Sequence, residues 1–77
     1  MRIGILGPGC PNCEALAANA KQAVESLGLE AEIVKVRDIA QITAHGVLMT
    51  PALVVDGEVK SSGKVLSPAR IRDLLAT

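Results

Sequence analysis

Apolar residues at the start of the chain change from a strand pattern to a helical one. Residues 2–6 have strand character, and the short apolar run at residues 3–6, which a Gly-Pro-Gly turn ends, is typical of a strand buried on both faces. From residue 14 to residue 27 apolar side chains recur at spacings of three and four, with charged residues between them. This spacing predicts an amphipathic helix, and Gly28 suits its C-terminal cap.

The middle of the chain predicts an edge strand followed by a short helix. Residues 30–37 are rich in β-branched side chains and carry charges along their length, as suits a strand at the edge of a sheet. The order strand, helix, strand makes it parallel to the first strand. Asp38 suits the N-cap of a short helix that Gly46 ends, and His45, the only histidine, falls in its last turn.

The last third of the chain predicts a hairpin and a helix. Asp56 and Gly57 separate two β-rich runs, and a type I′ turn needs positive φ at both central positions. We expect residues 61–63 to form a loop. Ser67 and Pro68 then suit the N-cap and the first position of a helix with one apolar side.

Composition narrows the possible functions. The 77 residues include no Phe, Tyr or Trp, so the core must be aliphatic, with Met49 as a possible filler. Eight basic residues balance eight acidic ones, and without a basic patch or aromatic rings we expect no nucleic-acid or membrane partner. No apolar stretch approaches the roughly 18 residues of a membrane helix. We expect one domain over residues 1–77, monomeric and cytoplasmic.

The residues best suited to chemistry are Cys10 and Cys13, the only cysteines, which stand where the first helix begins. The unpaired N–H groups and the dipole of a helix N-terminus favour the thiolate, the form that attacks disulfides and binds metals. Cys10 is therefore the expected nucleophile, and Pro11 suits the first helical position. Cys13 lies one turn on, within the separation that a disulfide tolerates. In the cytosol such a pair is more often catalytic or metal-binding than structural.

The order of elements completes a recognisable pattern. With Cys-Pro-Asn-Cys at residues 10–13 after the first strand and Thr50-Pro51 before the third, the chain resembles the small thioredoxin-like and glutaredoxin-like redox-active disulfide proteins. The resemblance implies an α/β fold, the minimal thioredoxin fold βαβαββα, with a four-stranded mixed sheet and helices on both faces. It also implies a thiol–disulfide oxidoreductase that needs no cofactor, acts in electron transfer with protein or small-molecule disulfides, and is served by an upstream reductase.

The same resemblance assigns a site. A loop with a cis bond between Thr50 and Pro51 would face the dithiol, and the backbone of Thr50 would pair with an extended substrate segment. The alternative is that Pro51 only shapes the start of a strand. The catalytic pair would be Cys10 and Cys13, and the residues expected to contact substrate are Pro11, Asn12, Met49, Thr50 and Pro51.

Two other functions stay open at this point. Short heavy-metal carriers also place Cys-x-x-Cys between a first strand and a helix, and two thiolates suffice for Cu(I) or a similar soft metal. Zn²⁺ normally takes four ligands, of which His45 would be only a third, and His45 also fits a plain role at a helix end. A redox sensor without turnover would share the same site. Thioredoxins, which the chain resembles, hold a buried acid in the strand before the dithiol. Residues 2–6 contain no acidic residue, so the proton acceptor for Cys13 is unassigned.

Overall fold

The computed structural model describes residues 1–76 and has the order of elements that the sequence predicts. The elements are β1 (Arg2–Leu6), α1 (Pro11–Leu27), β2 (Glu32–Val36), α2 (Ile39–Ala44), β3 (Ala52–Val55), β4 (Glu58–Ser62) and α3 (Pro68–Ala76). Thr77, the last residue of the predicted domain, lies outside the described residues. The βαβαββα order of the minimal thioredoxin fold is confirmed.

The four strands form one mixed sheet in the order β2-β1-β3-β4. β1 runs parallel to β2 and antiparallel to β3, and β4 continues the sheet as the second arm of a hairpin. The charged strand β2 is therefore at an edge, as predicted, and the apolar strand β1 is central. Leu6 pairs with Val36 on one side and with Ala52 on the other, so three chain segments meet at the carboxyl end of β1.

Helices cover both faces of the sheet. The main core lies between the sheet and helices α1 and α3, and it contains Ile3, Ile5, Leu16, Ala17, Ala20, Ala23, Val24, Leu53 and Ile71. On the opposite face α2 covers a smaller group, the α2 layer, made of Leu6, Ile42, Val47, Ala52 and Val54. Each buried Leu, Ile or Val contributes about 1.5 to 3 kcal/mol relative to leaving it exposed, so the main core supplies most of the stability.

The predicted caps and turn are present. The Asp38 carboxylate accepts hydrogen bonds from the N–H groups of Ala40 at 2.8 Å and Gln41 at 3.4 Å, which satisfies two groups that helix α2 leaves unpaired. In the hairpin, Asp56 and Gly57 have φ of 50° and 85°, as a type I′ turn requires. These short-range predictions are confirmed because their causes lie within a few residues.

Two predictions about the second half are wrong. Ser61 and Ser62 do not form a loop but belong to β4, where a bulge shifts the register and pairing then continues with Leu53 and Ala52. Met49 fills no gap in the core, since 65% of its surface is exposed. Over residues 1–76, no helix is long and apolar enough to cross a bilayer.

Candidate active site

Cys10 is the N-cap of α1. Its backbone is extended, with φ of −70° and ψ of 164°, and its sulfur accepts a hydrogen bond from the N–H of Cys13 at 3.3 Å. Pro11 occupies the first helical position, where its missing N–H leaves nothing unsatisfied. A sulfur in this place does what the oxygen of Ser or Asp does at other helix starts. Because an N–H points at it, the thiolate form of this sulfur is stabilised relative to the thiolate of a free cysteine.

The two cysteines are free thiols whose Sγ atoms lie 2.6 Å apart. The pKa of Cys10 is lowered, mainly by the hydrogen bond from the Cys13 side chain and then by the Cys13 backbone N–H. The pKa of Cys13 is raised, mainly because burial disfavours its charged form and then because it donates to Cys10. Cys13 is only 4% exposed, whereas Cys10 is half-buried. The pair therefore consists of an accessible sulfur whose surroundings favour the thiolate and a buried sulfur whose surroundings favour the thiol.

Gly7 lies between the dithiol and the loop before β3. Its N–H donates to the carbonyl of Val36 at 2.9 Å, which continues the pairing of β1 with β2. A Cβ atom placed on Gly7 would overlap the sulfur of Cys13 and lie 3.7 Å from the Cβ of Thr50. Only a glycine fits between these two residues. The Gly-Pro-Gly pattern predicts only a turn at Gly7, because nothing in the sequence shows what packs against it.

The bond between Thr50 and Pro51 is cis, as the resemblance implied. Pro51 is buried, and Ala52 beside it pairs with Leu6, which sets the proline level with the start of the loop that leads to Cys10. Thr50 and Met49 are exposed. The loop therefore faces the dithiol across Gly7.

The remaining residues predicted to contact substrate are exposed. Pro11 and Asn12 are exposed in the first turn of α1. Met49 is exposed on the loop side, where it packs against Gly63. Their accessibility suits contact with a bound molecule, and the contact itself stays a prediction.

A group of three charged residues next to the dithiol was missed by the sequence analysis. Glu14 on α1 pairs with Lys35 on β2 at 2.7 Å and with Arg37, just beyond β2, at 3.4 Å. The hydrogen bond with Lys35 is the main reason that the pKa of Glu14 is lowered. The available signal was a positive charge at each of the alternate positions 35 and 37. Because parallel strands end at the same edge of a sheet, the end of β2 lies beside the end of β1, which leads to the dithiol.

His45 is not part of this site. It is the C-cap of α2 and lines the groove between that helix and the sheet, together with Gln41 and Asp56. Within the described chain, no three His, Cys, Asp or Glu side chains come close enough to share a metal ion. A three-ligand site that includes His45 is therefore not formed, and the plain role at a helix end fits its position.

A dithiol at the start of α1, set beside a cis-proline loop on a βαβαββα scaffold, defines the class of minimal thioredoxin-fold dithiol proteins. A family model described as a thioredoxin domain matches residues 1–76. The thioredoxin of Methanothermobacter thermautotrophicus is 43% identical over 76 residues, which cover 99% of both chains. The thioredoxin of Methanocaldococcus jannaschii is 44% identical over 73 residues, 95% of this chain and 84% of that protein.

The chain belongs to the thioredoxin domain family. This membership supports thiol–disulfide oxidoreductase chemistry at a general level, and it gives no support to the metal-carrier alternative.

Proposed function

We propose that the protein exchanges electrons with protein disulfides through Cys10 and Cys13. The observation that carries the proposal is the opposite direction of the two pKa shifts across a sulfur–sulfur distance of 2.6 Å. A nucleophile must be a thiolate at working pH, whereas a resolving cysteine must stay protonated until it is needed. The surroundings of Cys10 favour the thiolate and those of Cys13 favour the thiol, which is the difference that these two roles require.

The exchange proceeds in two steps that move two electrons. The Cys10 thiolate attacks one sulfur of the substrate disulfide, forming a mixed disulfide as the substrate bond breaks, and the departing thiolate takes a proton from water. Cys13 then gives its proton to water, and its thiolate attacks the sulfur of Cys10. The bond between Cys10 and the substrate breaks, and the second substrate sulfur leaves as a thiolate that takes up a proton. The protein is left with a disulfide, which an upstream dithiol reductase would return to the reduced form. That reductase, the monomeric state and the cytoplasmic location stay predictions.

Substrate binding would use the exposed loop before β3. Within residues 1–76, the main-chain N–H and C=O of Thr50 make no hydrogen bond, so both can pair with an extended peptide. Leu48 and Met49 beside it are 94% and 65% exposed, which is unusual for apolar side chains and offers contact area to a substrate. Pro11 and Asn12 would face the same peptide from the helix side.

The assignment of roles is tested by trapping the mixed disulfide. Cys13→Ser keeps the nucleophile and removes the resolving thiol, so incubation with a peptide disulfide should accumulate a covalent adduct on Cys10. Cys10→Ser is the matched control and should accumulate none, because Cys13 is buried and its pKa is raised. Mass spectrometry of the intact protein measures both. Equal trapping by the two variants would refute the assignment.

A further inference from the structure

The Arg37 side chain lies against the residue that precedes the nucleophile. Val36 pairs with Leu6 and accepts the N–H of Gly7, so Arg37 leaves the sheet at the edge where β1 leads toward Cys10. The guanidinium carbon and Nε of Arg37 are 3.5 Å from the position that a Cβ on Gly9 would occupy, and Nη1 is 3.8 Å from it. A permanent positive charge therefore stands one residue from the attacking sulfur.

This guanidinium is not fully engaged within the protein. Glu14 has its closest partner in Lys35 at 2.7 Å, and Arg37 reaches the same carboxylate only at 3.4 Å. Arg37 makes the smallest contribution to the lowered pKa of Glu14, and 62% of its side chain is exposed. Two positive charges and one negative leave a surplus of one positive charge beside the dithiol, although the whole chain is neutral.

Arg37 is not needed to explain the activation of Cys10. The lowered pKa of Cys10 is explained by hydrogen bonds, chiefly those from Cys13. The guanidinium instead lies beside Gly9, where a substrate segment held by the loop before β3 would pass the dithiol. A planar guanidinium binds carboxylates through two parallel hydrogen bonds, a geometry that a lysine ammonium does not offer.

We propose that Arg37 is a specificity-determining residue that binds an acidic side chain next to the reactive cysteine of an extended protein substrate. The inference rests on the proposed function, since it names a substrate preference of that same site. Contact with a substrate carboxylate adds no electron step, and it raises the rate of the first attack by holding the disulfide at Cys10. The preference is local to Arg37 and does not come from the overall charge of the chain.

Three peptide disulfides test the proposal. They share one sequence except for the residue next to the reactive cysteine, which is Glu, Gln or Lys. Single-turnover oxidation of the reduced protein is followed at low salt, where exposed charge contacts are strongest. Wild type should react fastest with the Glu peptide and slowest with the Lys peptide. An exposed ion pair corresponds to about 1.4- to 5-fold in rate, and Arg37→Gln should lose that advantage for Glu over Gln.

Lys21→Gln is the matched control. It removes the same unit of charge from an exposed site on α1, about three turns beyond Cys10. This variant should keep the full preference for the Glu peptide. Loss of the preference in both variants would assign it to the overall field and overturn the proposal, as would its retention in Arg37→Gln. Reduction of all three peptides at one rate by wild type also overturns it, while leaving the proposed function intact. Failure to reduce any of the three would instead contradict the proposed function.

Discussion

The two faces of the sheet differ in the number of residues that they bury and in the part of the candidate site that each one holds. The main core has nine buried residues under two helices, whereas the α2 layer has five under a helix of six residues. Helix α1, which begins at the cysteines, is anchored in the main core. The loop that faces the cysteines, at residues 47–51, is anchored through Val47 in the α2 layer. The dithiol is therefore held by the stronger half of the molecule and the loop at residues 47–51 by the weaker half, where local opening costs less free energy.

Leu16→Ala should have the largest effect on stability. Leu16 has no exposed surface and lies in the centre of the main core, so its truncation leaves a cavity that the surrounding side chains cannot fill. We expect the free energy of unfolding to fall by about 3 kcal/mol, measured by urea denaturation of the reduced protein. Leu27→Ala on the same helix is the control, because Leu27 is 37% exposed and should cost clearly less. An equal loss in the free energy of unfolding for the two variants would contradict the larger buried core assigned to this face.

Ile42→Ala should cost less, about 2 kcal/mol, and its effect should be local. Ile42 is 6% exposed and is the buried residue that α2 contributes to its layer. We expect faster amide hydrogen exchange in residues 47–51 and faster alkylation of Cys13, with little change in β1. Ile39→Ala is the control on the same helix, since Ile39 is 73% exposed. Uniformly faster exchange over the whole chain would show that the two faces unfold as one unit.

The smallest expected effect is a difference in the pH dependence of alkylation between the two thiols, and it leaves the structure unchanged. Because the pKa of Cys10 is lowered, its alkylation by iodoacetamide should persist to lower pH than that of a free cysteine and fall only as the pH drops through that pKa. Cys13, with a raised pKa, should react only at higher pH. The alkylation rates are measured from about pH 5 to pH 10, and peptide mass mapping assigns each rate to Cys10 or Cys13. In Cys13→Ala the profile of Cys10 should move up toward that of a free thiol, and an unmoved profile would remove Cys13 as the cause.

The parts of the fold that the sequence predicted are those with short-range causes. The Asp38 cap, the Asp56-Gly57 turn and the helix start at Cys10 all follow from residues a few positions apart. The length of β4 was missed because a bulge opposite Leu53 and Val54 depends on pairing between strands. Within the candidate site, the cysteines were predictable from their motif and the cis bond from resemblance.

The contacts of Gly7 with the dithiol and the loop before β3, and of Arg37 with Gly9, were beyond sequence reasoning. Gly7 matters because Cys13, six positions away, and Thr50, 43 positions away, both approach it. Arg37 matters because its guanidinium lies against Gly9. Both contacts depend on the register of β1 against its two neighbours, which no local pattern specifies. Tertiary geometry, rather than residue type, thus decides which side chains surround the dithiol.

A core packed from aliphatic side chains alone has a practical consequence for spectroscopy. With no Phe, Tyr or Trp in the chain, the protein contributes no intrinsic aromatic fluorescence of its own. Any tryptophan emission in a mixture then comes from the other molecule. A peptide disulfide with one tryptophan near its reactive cysteine would report capture and release directly, without a label on either component. Because the protein itself does not emit, the tryptophan fluorescence of a bound partner can be followed without a contribution from the protein.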